Sequence, residues 1–212
     1  MEQKEIEKEL ENALVELRKN EERKFNQTVD LILNLQKFDP KKNQINIFVN
    51  VPFRIKDKKI CGFFETKQKS VETITPSDFK SYSEKTALKK LVKRFDFFIA
   101  QASVMPKVAS TFGKVLGPAG KMPSPAMGIL MDVSDKEIEE IKEKISNSLR
   151  IRIKEPSVKL AIGKQSMKDK EIIENVMTVY NAVLKVMPKG NDNMRNIEIK
   201  FTMTKPQKVR IK

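Results

Sequence analysis

The sequence predicts two domains of mixed class: a discontinuous α+β domain made of residues 1–56 and 154–212, and an inserted α/β domain made of residues 57–153. Both ends of the chain combine strands of alternating polarity with long amphipathic helices, whereas the middle alternates short apolar runs with helical patterns. The 212 residues, 39% of them hydrophobic, can fill one large or two small cores. These observations together predict one domain interrupted by another.

The N-terminal segment predicts one helix and two strands. Residues 2–19 place apolar side chains three and four positions apart, which is typical of a helix with one buried face. The spacing changes to two over Thr28–Leu35 and again over residues 45–51, after the turn at Asp39-Pro40. Two half-buried strands are therefore predicted, and they could pair in one sheet.

The middle of the chain predicts an α/β unit. Ser134 is followed three residues later by a glutamate, a capping box that predicts a helix from about residue 135 to 147. A strand is expected next, at residues 149–153. The earlier predicted elements are strands at 60–64 and 95–100 and helices near 77–93 and 105–116.

The C-terminal segment predicts strand, helix and strand. A strand is expected at 158–162, followed by a long amphipathic helix for which Ser166, with Asp169 three residues on, is the candidate N-cap. Pro188 and a nearby glycine end that helix. Apolar side chains at every second position then predict a final strand over residues 197–203.

The composition excludes many enzyme classes and favours a polyanionic partner. The chain has no histidine, so catalytic triads, histidine-rich zinc sites and imidazole acid–base chemistry are excluded. Cys61 is the single cysteine, which fits a reducing compartment and a buried apolar role. With 42 Lys+Arg against 28 Asp+Glu and a net charge of +14, nucleic acid is the leading candidate partner, and a basic, well-solvated surface is the alternative.

The positive charge lies in the middle and at the C-terminal end of the chain. Residues 1–56 carry a net charge of +1, residues 57–153 carry +6, and residues 154–212 carry +7. The last eighteen residues alone have a net charge of +5, which could line a phosphate backbone. Their basic side chains are Arg195, Lys200, Lys205, Lys208, Arg210 and Lys212.

A glycine- and proline-rich segment lies at residues 116–123. Gly117, Gly120 and Lys121 suggest a phosphate-binding loop, but the Walker pattern needs a glycine at Val115 and a hydroxyl residue at Met122. Nucleoside triphosphate hydrolysis is therefore disfavoured. The alternatives are a loop that ends a helix and, in an enzyme, a site for some other phosphorylated ligand.

Residues 96–125, DFFIAQASVMPKVASTFGKVLGPAGKMPSP, resemble the central motif of a large-subunit ribosomal protein family that builds the mobile stalk beside the tRNA exit site, in its archaeal form. The segment from Lys24 to Asp30 resembles the family's strand entrance, Ile162 to Lys164 its Val-Gly-Lys turn, and Lys200 to Met203 its closing Thr-Met segment. The resemblance therefore extends over nearly the whole chain.

The resemblance implies a terminal α+β sandwich that binds stalk rRNA, an inserted Rossmann-like α/β domain, and no enzymatic activity or cofactor. It also implies a cytoplasmic, membrane-free ribosomal protein, monomeric when free, that helps exit-site tRNA leave and that could repress its own mRNA. Gly117, Gly120 and Lys121 then become a candidate tRNA-facing loop. The rRNA-binding residues carried over by position are Lys24, Phe25, Thr28, Asp30, Gly163, Lys164, Lys200, Thr202 and Met203.

Some of these residues also have ordinary structural interpretations. Phe25 could belong to the core, Met203 shares the alternating face of buried strand residues, and Asp30 could simply pair with a lysine. The chain also departs from the family pattern. Thr204 stands where the family has a glycine, and the connection at residues 51–56 lacks the family's histidine and glycines. A generic basic RNA-binding protein and, further off, an enzyme with a phosphorylated ligand remain the alternative functions.

Overall fold

The structure is a computed structural model that describes residues 2–20, 23–40, 42–43, 45–82, 84–125, 127–131 and 133–209. Arg210 and Lys212 of the basic C-terminal segment lie outside the described residues. In chain order the elements are α1 (Glu2–Arg18), β1 (Thr28–Leu35), β2 (Ile45–Asn50), β3 (Ile60–Phe63), β4 (Glu72–Ile74), α2 (Lys85–Arg94), β5 (Phe97–Gln101), α3 (Met105–Ala119), β6 (Ile129–Leu130), α4 (Asp135–Asn147), β7 (Ser148–Ile153), β8 (Ser157–Lys164), α5 (Asp169–Val186), β9 (Met194–Phe201) and β10 (Gln207–Val209), with short 3-10 turns at Asp78–Tyr82, Ala102–Val104 and Gly190–Asn193.

The chain divides into two compact units, unit 1 from residues 1–56 with 147–212 and unit 2 from residues 57–146. The boundary expected at residue 154 is wrong by one strand. β7 pairs antiparallel with β2, from Ile45 opposite Ile153 to Asn50 opposite Ser148, so this strand belongs to unit 1. With β7 included, unit 1 carries a net charge of +10 and unit 2 one of +4.

Unit 1 contains a four-stranded antiparallel sheet in the order β10-β9-β1-β8. The N-terminal strand β1 lies between two C-terminal strands. Its residues alternate strictly between half-buried and buried, so Leu31 and Leu33 enter the core while Asp30 and Ile32 lie on the other face. The alternation of apolar residues in the sequence therefore predicts this strand and its buried face correctly.

The expectation that β1 and β2 share a sheet is wrong. β2 and β7 form a separate two-stranded ribbon, and both neighbours of β1 come from the C-terminal half of the chain. Alternation reports which face of a strand is buried, but not which strand lies beside it. The ribbon packs its apolar face onto the same core, through Val49, Ile151 and Ile153.

The long helices α1 and α5 bury their apolar stripes in the core of unit 1. Leu10, Leu14 and Val176 are fully buried there. The N-cap of α5 is Lys168, not Ser166, because the Lys168 backbone is still extended and its N–H donates to the Glu171 side chain at 3.2 Å. The observed N-cap thus lies two residues after the one predicted from the sequence.

Unit 2 is a parallel sheet in the order β4-β3-β5-β6 with apolar clusters on both faces, as in Rossmann-like folds. One face carries packed phenylalanines, with the ring centroids of Phe63 and Phe112 4.9 Å apart, and the other face carries Ile99 against Ile138 of α4. Cys61 is fully buried on β3, and burial, followed by the charge of Glu72, raises its thiol pKa to about 12.

Among the described residues, no helix is both long and apolar enough to cross a membrane.

Candidate nucleic-acid interface

Three strand ends of unit 1 meet at one edge of its four-stranded sheet. Because the strands are antiparallel, the start of β1 lies beside the ends of β8 and β9, with Thr28 opposite Lys164 and Val29 opposite Phe201. The preceding segment, residues 24–27, and the turn after β9 lie at the same edge. The segments singled out far apart in the sequence therefore converge, and we call their surface the strand-end surface.

Thr28 joins the three strand ends through hydrogen bonds. Its backbone N–H donates to Thr202 Oγ1 at 3.0 Å, and the Thr202 N–H and hydroxyl both donate to the Thr28 carbonyl, at 3.1 and 3.3 Å. The Lys164 ammonium donates to Thr28 Oγ1 at 2.9 Å. The Thr202 hydroxyl, expected to serve RNA, thus already has protein partners in this structure.

Gln27 fixes the turn that follows β9. The Gln27 side chain is 1% exposed, and its Oε1 accepts the Met203 backbone N–H at 3.0 Å. Thr204 closes the same turn, because its hydroxyl accepts the Phe201 N–H at 2.9 Å and its own N–H donates to the Phe201 carbonyl at 3.1 Å. The residue that replaces the family's glycine therefore stabilises the turn instead of disturbing it.

Phe25 and Met203 are large apolar side chains left in water at this edge. Phe25 is 52% exposed and Met203 is 61% exposed. The interpretation of both as core residues is wrong. β9 ends at Phe201, so the alternation that would bury Met203 stops before it. Phe25 and Met203 are thus exposed at the edge of the sheet where Thr28 and Thr202 are hydrogen-bonded.

Asp30 is a half-buried carboxylate on the outer face of the sheet, opposite Lys200 of β9. Burial raises its pKa above the ordinary value, against the lowering effect of Lys200 and then Lys164. No carboxylate–ammonium contact within 4.0 Å is formed at Asp30 in the described part of the chain. The alternative that Asp30 simply forms a lysine ion pair is therefore not supported.

Two residues that were not predicted as site residues, Asn26 and Arg18, stabilise the segments next to the strand-end surface. The Asn26 amide donates to Ser166 Oγ at 2.8 Å and accepts the Ser166 N–H at 3.2 Å. The Arg18 guanidinium, at the end of α1, donates to the carbonyls of Gln165 and Met167 and binds Asp169. Both depend on partners about 140 residues or more away, so local patterns in the sequence carried no signal for them.

Gly163 is buried and lies outside the exposed part of this surface. A Cβ atom there would lie 3.3 Å from both Ile172 Cγ1 and Met167 Sδ, so the glycine allows β8 to pack closely on α5. Gly163 therefore has a packing role, and its expected contact with RNA stays a prediction. Lys24, in contrast, is exposed beside Phe25.

A cleft of about 390 Å³ opens beside the turn that holds Met203. Its lining combines the end of α1 with the strand-end surface. The lining residues are Lys19, Asn20, Arg23, Gln27, Met203 and Thr204. Two cationic side chains and an exposed thioether are suited to a phosphate and a sugar or base of RNA.

The predicted tRNA-facing segment of unit 2 has a helix-ending role. Gly117 lies inside α3, and Gly120, at φ +69°, ends that helix through N–H bonds of Gly120 and Lys121 to the carbonyls of Gly117 and Leu116, both at 2.9 Å. The Lys121 ammonium donates to the carbonyls of Val92 and Phe95 at the end of α2, at 2.8 and 2.7 Å. The loop that ends a helix was the correct alternative, and the phosphate loop is not formed.

A known protein family matches most of the chain. The model of the ribosomal protein L1p/L10e family matches residues 17–205. The chain belongs to this family. Among its relatives are large ribosomal subunit proteins uL1 of three archaea. The chain is 32% identical to the protein of Nanoarchaeum equitans, over 88% of this chain and 92% of the relative. It is 34% identical to the protein of Pyrobaculum islandicum, over 90% of this chain and 87% of the relative. It is 32% identical to the protein of Pyrococcus abyssi, over 89% of this chain and 89% of the relative.

Family membership confirms the archaeal-type resemblance and the mixed fold class read from the sequence. Proteins of the L1p/L10e family are structural ribosomal proteins and not enzymes, so the alternative of an enzyme with a phosphorylated ligand is not retained. Among the described residues, no group of three or more carboxylate or thiol side chains could hold a metal ion.

Proposed function

We propose that the strand-end surface of unit 1 binds rRNA. The observation that carries the proposal is the pair of exposed apolar side chains, Phe25 and Met203, at the edge of the sheet where Thr28 and Thr202 are hydrogen-bonded. Family membership supports the coarser statement that the chain is a structural constituent of the large ribosomal subunit and binds rRNA. The net charge of +10 on unit 1 favours the approach of RNA phosphates.

The surface provides three kinds of RNA contact. Lys24 and Lys200 offer ammonium groups to phosphates. Phe25 and Met203 offer apolar surface to a sugar or a base. Asp30 offers a carboxylate acceptor for a 2′-hydroxyl, the group that distinguishes RNA from DNA.

The Thr28 and Thr202 hydroxyls act first as fixed parts of the scaffold. Thr202 Oγ1 is both acceptor and donor to the Thr28 backbone, and Thr28 Oγ1 accepts from Lys164. Because a hydroxyl oxygen has two lone pairs, each can still accept one hydrogen bond from RNA without losing its protein partner. The RNA thus meets donors and acceptors that are already in position.

Movement and release of exit-site tRNA, and repression of the protein's own mRNA, belong to the same proposal. Unit 2 carries a net charge of +4, which can support contact with tRNA phosphates. Repression requires only that the mRNA offers the strand-end surface the same shape as rRNA. We further propose that Gly117, Gly120 and Lys121 act in tRNA contact only by holding the ends of α2 and α3.

The first test is a salt titration of binding to a stalk rRNA fragment beside a scrambled hairpin of equal length. A specific surface keeps a large advantage for the stalk RNA as the salt concentration rises, because shape-dependent contacts do not depend on counterion release. If the affinities for the two RNAs fall equally, the proposal is wrong and the protein is a generic basic RNA-binding protein.

Two alanine substitutions then locate the site. Phe25→Ala and Met203→Ala should each lower the affinity for the stalk RNA while leaving the affinity for the scrambled hairpin unchanged. Met131, 81% exposed in unit 2, gives the matched control Met131→Ala. Wild-type stalk affinity in both unit 1 variants, or an equal loss in the control, would remove these side chains from the site.

A further inference from the structure

The β2–β7 ribbon of unit 1 has a polar outer face that the strand-end surface does not include. Its apolar residues point into the core, and the alternate residues point outward. Register places Phe48 opposite Arg150 and Asn46 opposite Arg152. Five of these residues, namely Asn46, Phe48, Asn50, Arg150 and Arg152, form the ribbon face, and the sixth, Ser148 opposite Asn50, is buried.

The Arg150 guanidinium is held in a fixed position on the ribbon face. Its Nε donates to Asn46 Oδ1 at 3.0 Å, and its Cζ lies 5.5 Å from the centroid of the Phe48 ring. Phe48 does not belong to the core of unit 1. A planar cation over an aromatic ring on the outer side of a sheet is a surface on which other planar groups can stack.

The positive charge of the ribbon face is not balanced by carboxylates. No carboxylate of the described residues lies within 4.0 Å of the Arg150 or Arg152 guanidinium. Burial, followed by the neighbouring charge of Arg152, lowers the pKa of Arg150. A bound anion would therefore offset both the repulsion between the two arginines and the cost of burying one of them.

We propose that the ribbon face is a second RNA-contacting surface, where Arg150 and Arg152 bind phosphates of an unpaired strand and Phe48 stacks against its bases. Guanidinium groups match phosphate geometry, and aromatic rings accept any unpaired base. The Asn46 and Asn50 amides lie on the same face, within reach of base edges. An acidic peptide would bind the two arginines but would not stack on the Phe48 ring, so single-stranded RNA is the better match.

The test measures binding of the full chain to a short oligouridylate and to a duplex RNA of the same length. Arg150→Gln combined with Arg152→Gln should weaken oligouridylate binding and reduce the slope of log affinity against log salt by about 1.4, the value for two lost phosphate contacts on a single strand. Lys8→Gln combined with Lys185→Gln removes two charges elsewhere in unit 1 and is the matched control.

Phe48→Leu separates stacking from charge. It keeps an apolar side chain and both arginines, and it should weaken oligouridylate binding at least about fivefold while leaving duplex binding unchanged. If the arginine variant loses stability, Arg152→Gln alone is used, because this side chain is exposed. The proposal is overturned if the control loses as much affinity as the arginine variant, or if Phe48→Leu binds both RNAs like the wild type.

Discussion

Thr202 connects the stability of unit 1 with the geometry of its proposed RNA site. Its hydroxyl binds the backbone N–H and carbonyl of Thr28, the first residue of the central strand β1. Removing this hydroxyl therefore affects the protein before any RNA is present. A loss of RNA binding in a Thr202 variant has to be separated from a loss of folding.

Thr202→Val should lower both the free energy of unfolding and the affinity for stalk RNA. Loss of the hydroxyl leaves the Thr28 N–H without its side-chain acceptor, which costs about 1 kcal/mol. Thr202→Ser keeps the hydroxyl and should behave like the wild type in both respects. Urea denaturation and RNA titration measure the two effects, and unchanged stability in Thr202→Val would contradict a stabilising role for the Thr28–Thr202 hydrogen bonds.

Asp30→Asn should stabilise the free protein at neutral pH. Burial raises the pKa of Asp30 in the folded state, so the folded protein holds its proton more tightly than the unfolded chain does. Ionisation of Asp30 therefore removes stability as the pH rises from the ordinary value of 3.8 through the folded-state pKa. Below this window the variant and the wild type should melt at closer temperatures, and thermal melts at several pH values measure the difference. If Asp30→Asn raised the melting temperature more at acidic pH than at neutral pH, the prediction would be contradicted.

At the level of single elements, the turns that end helices depend on individual glycines. Gly120→Ala should destabilise unit 2 by about 1 to 2 kcal/mol, because φ is +69° there and a Cβ atom is strained in this region. Gly113→Ala, in the interior of the same helix, should instead stabilise it by about 0.5 to 1 kcal/mol, because beyond the chain neighbours and the helix's own backbone no atom lies within 4 Å of the new Cβ. Denaturation of unit 2 in the two variants should shift in opposite directions, and shifts in the same direction would contradict these opposite roles of the two glycines.

The elements that depend on local patterns were predictable from the sequence, and their partners were not. The capping box at Ser134 predicts α4 from residue 135 to 147, as observed. β2, in contrast, pairs with a strand about 100 residues away, and its alternation carries no information on that pairing. The exposure of Met203 depends on where β9 ends, and Gln27 and Thr204 fix this point through contacts that a pattern of polarity does not encode.

At the level of the whole molecule, the two units differ in net charge and in the role of their functional candidate residues. Unit 1 holds most of the net positive charge and the strand-end surface, whereas the glycine- and lysine-containing segment of unit 2 ends helices. A substitution in unit 2 can therefore change stability without changing RNA affinity.

Lys121→Met tests this division. The substitution removes an ammonium that binds the carbonyls of Val92 and Phe95, and it should destabilise unit 2 by about 1 to 3 kcal/mol. Binding of the stalk RNA should remain at the wild-type value. Thermal denaturation and RNA titration on one preparation give both quantities, and a loss of RNA affinity without a loss of stability would contradict the division.

The position of β1 between β8 and β9 also determines the order in which the chain can fold during its own synthesis. β1 leaves the ribosome before unit 2 does, but both strands that flank it come from residues 157–201. Unit 2, made of the uninterrupted residues 57–146, leaves the ribosome before either of these two strands does. The nascent chain can thus complete its second unit first, while the strand at the centre of the proposed RNA-binding unit pairs only after residues 157–201 have been translated.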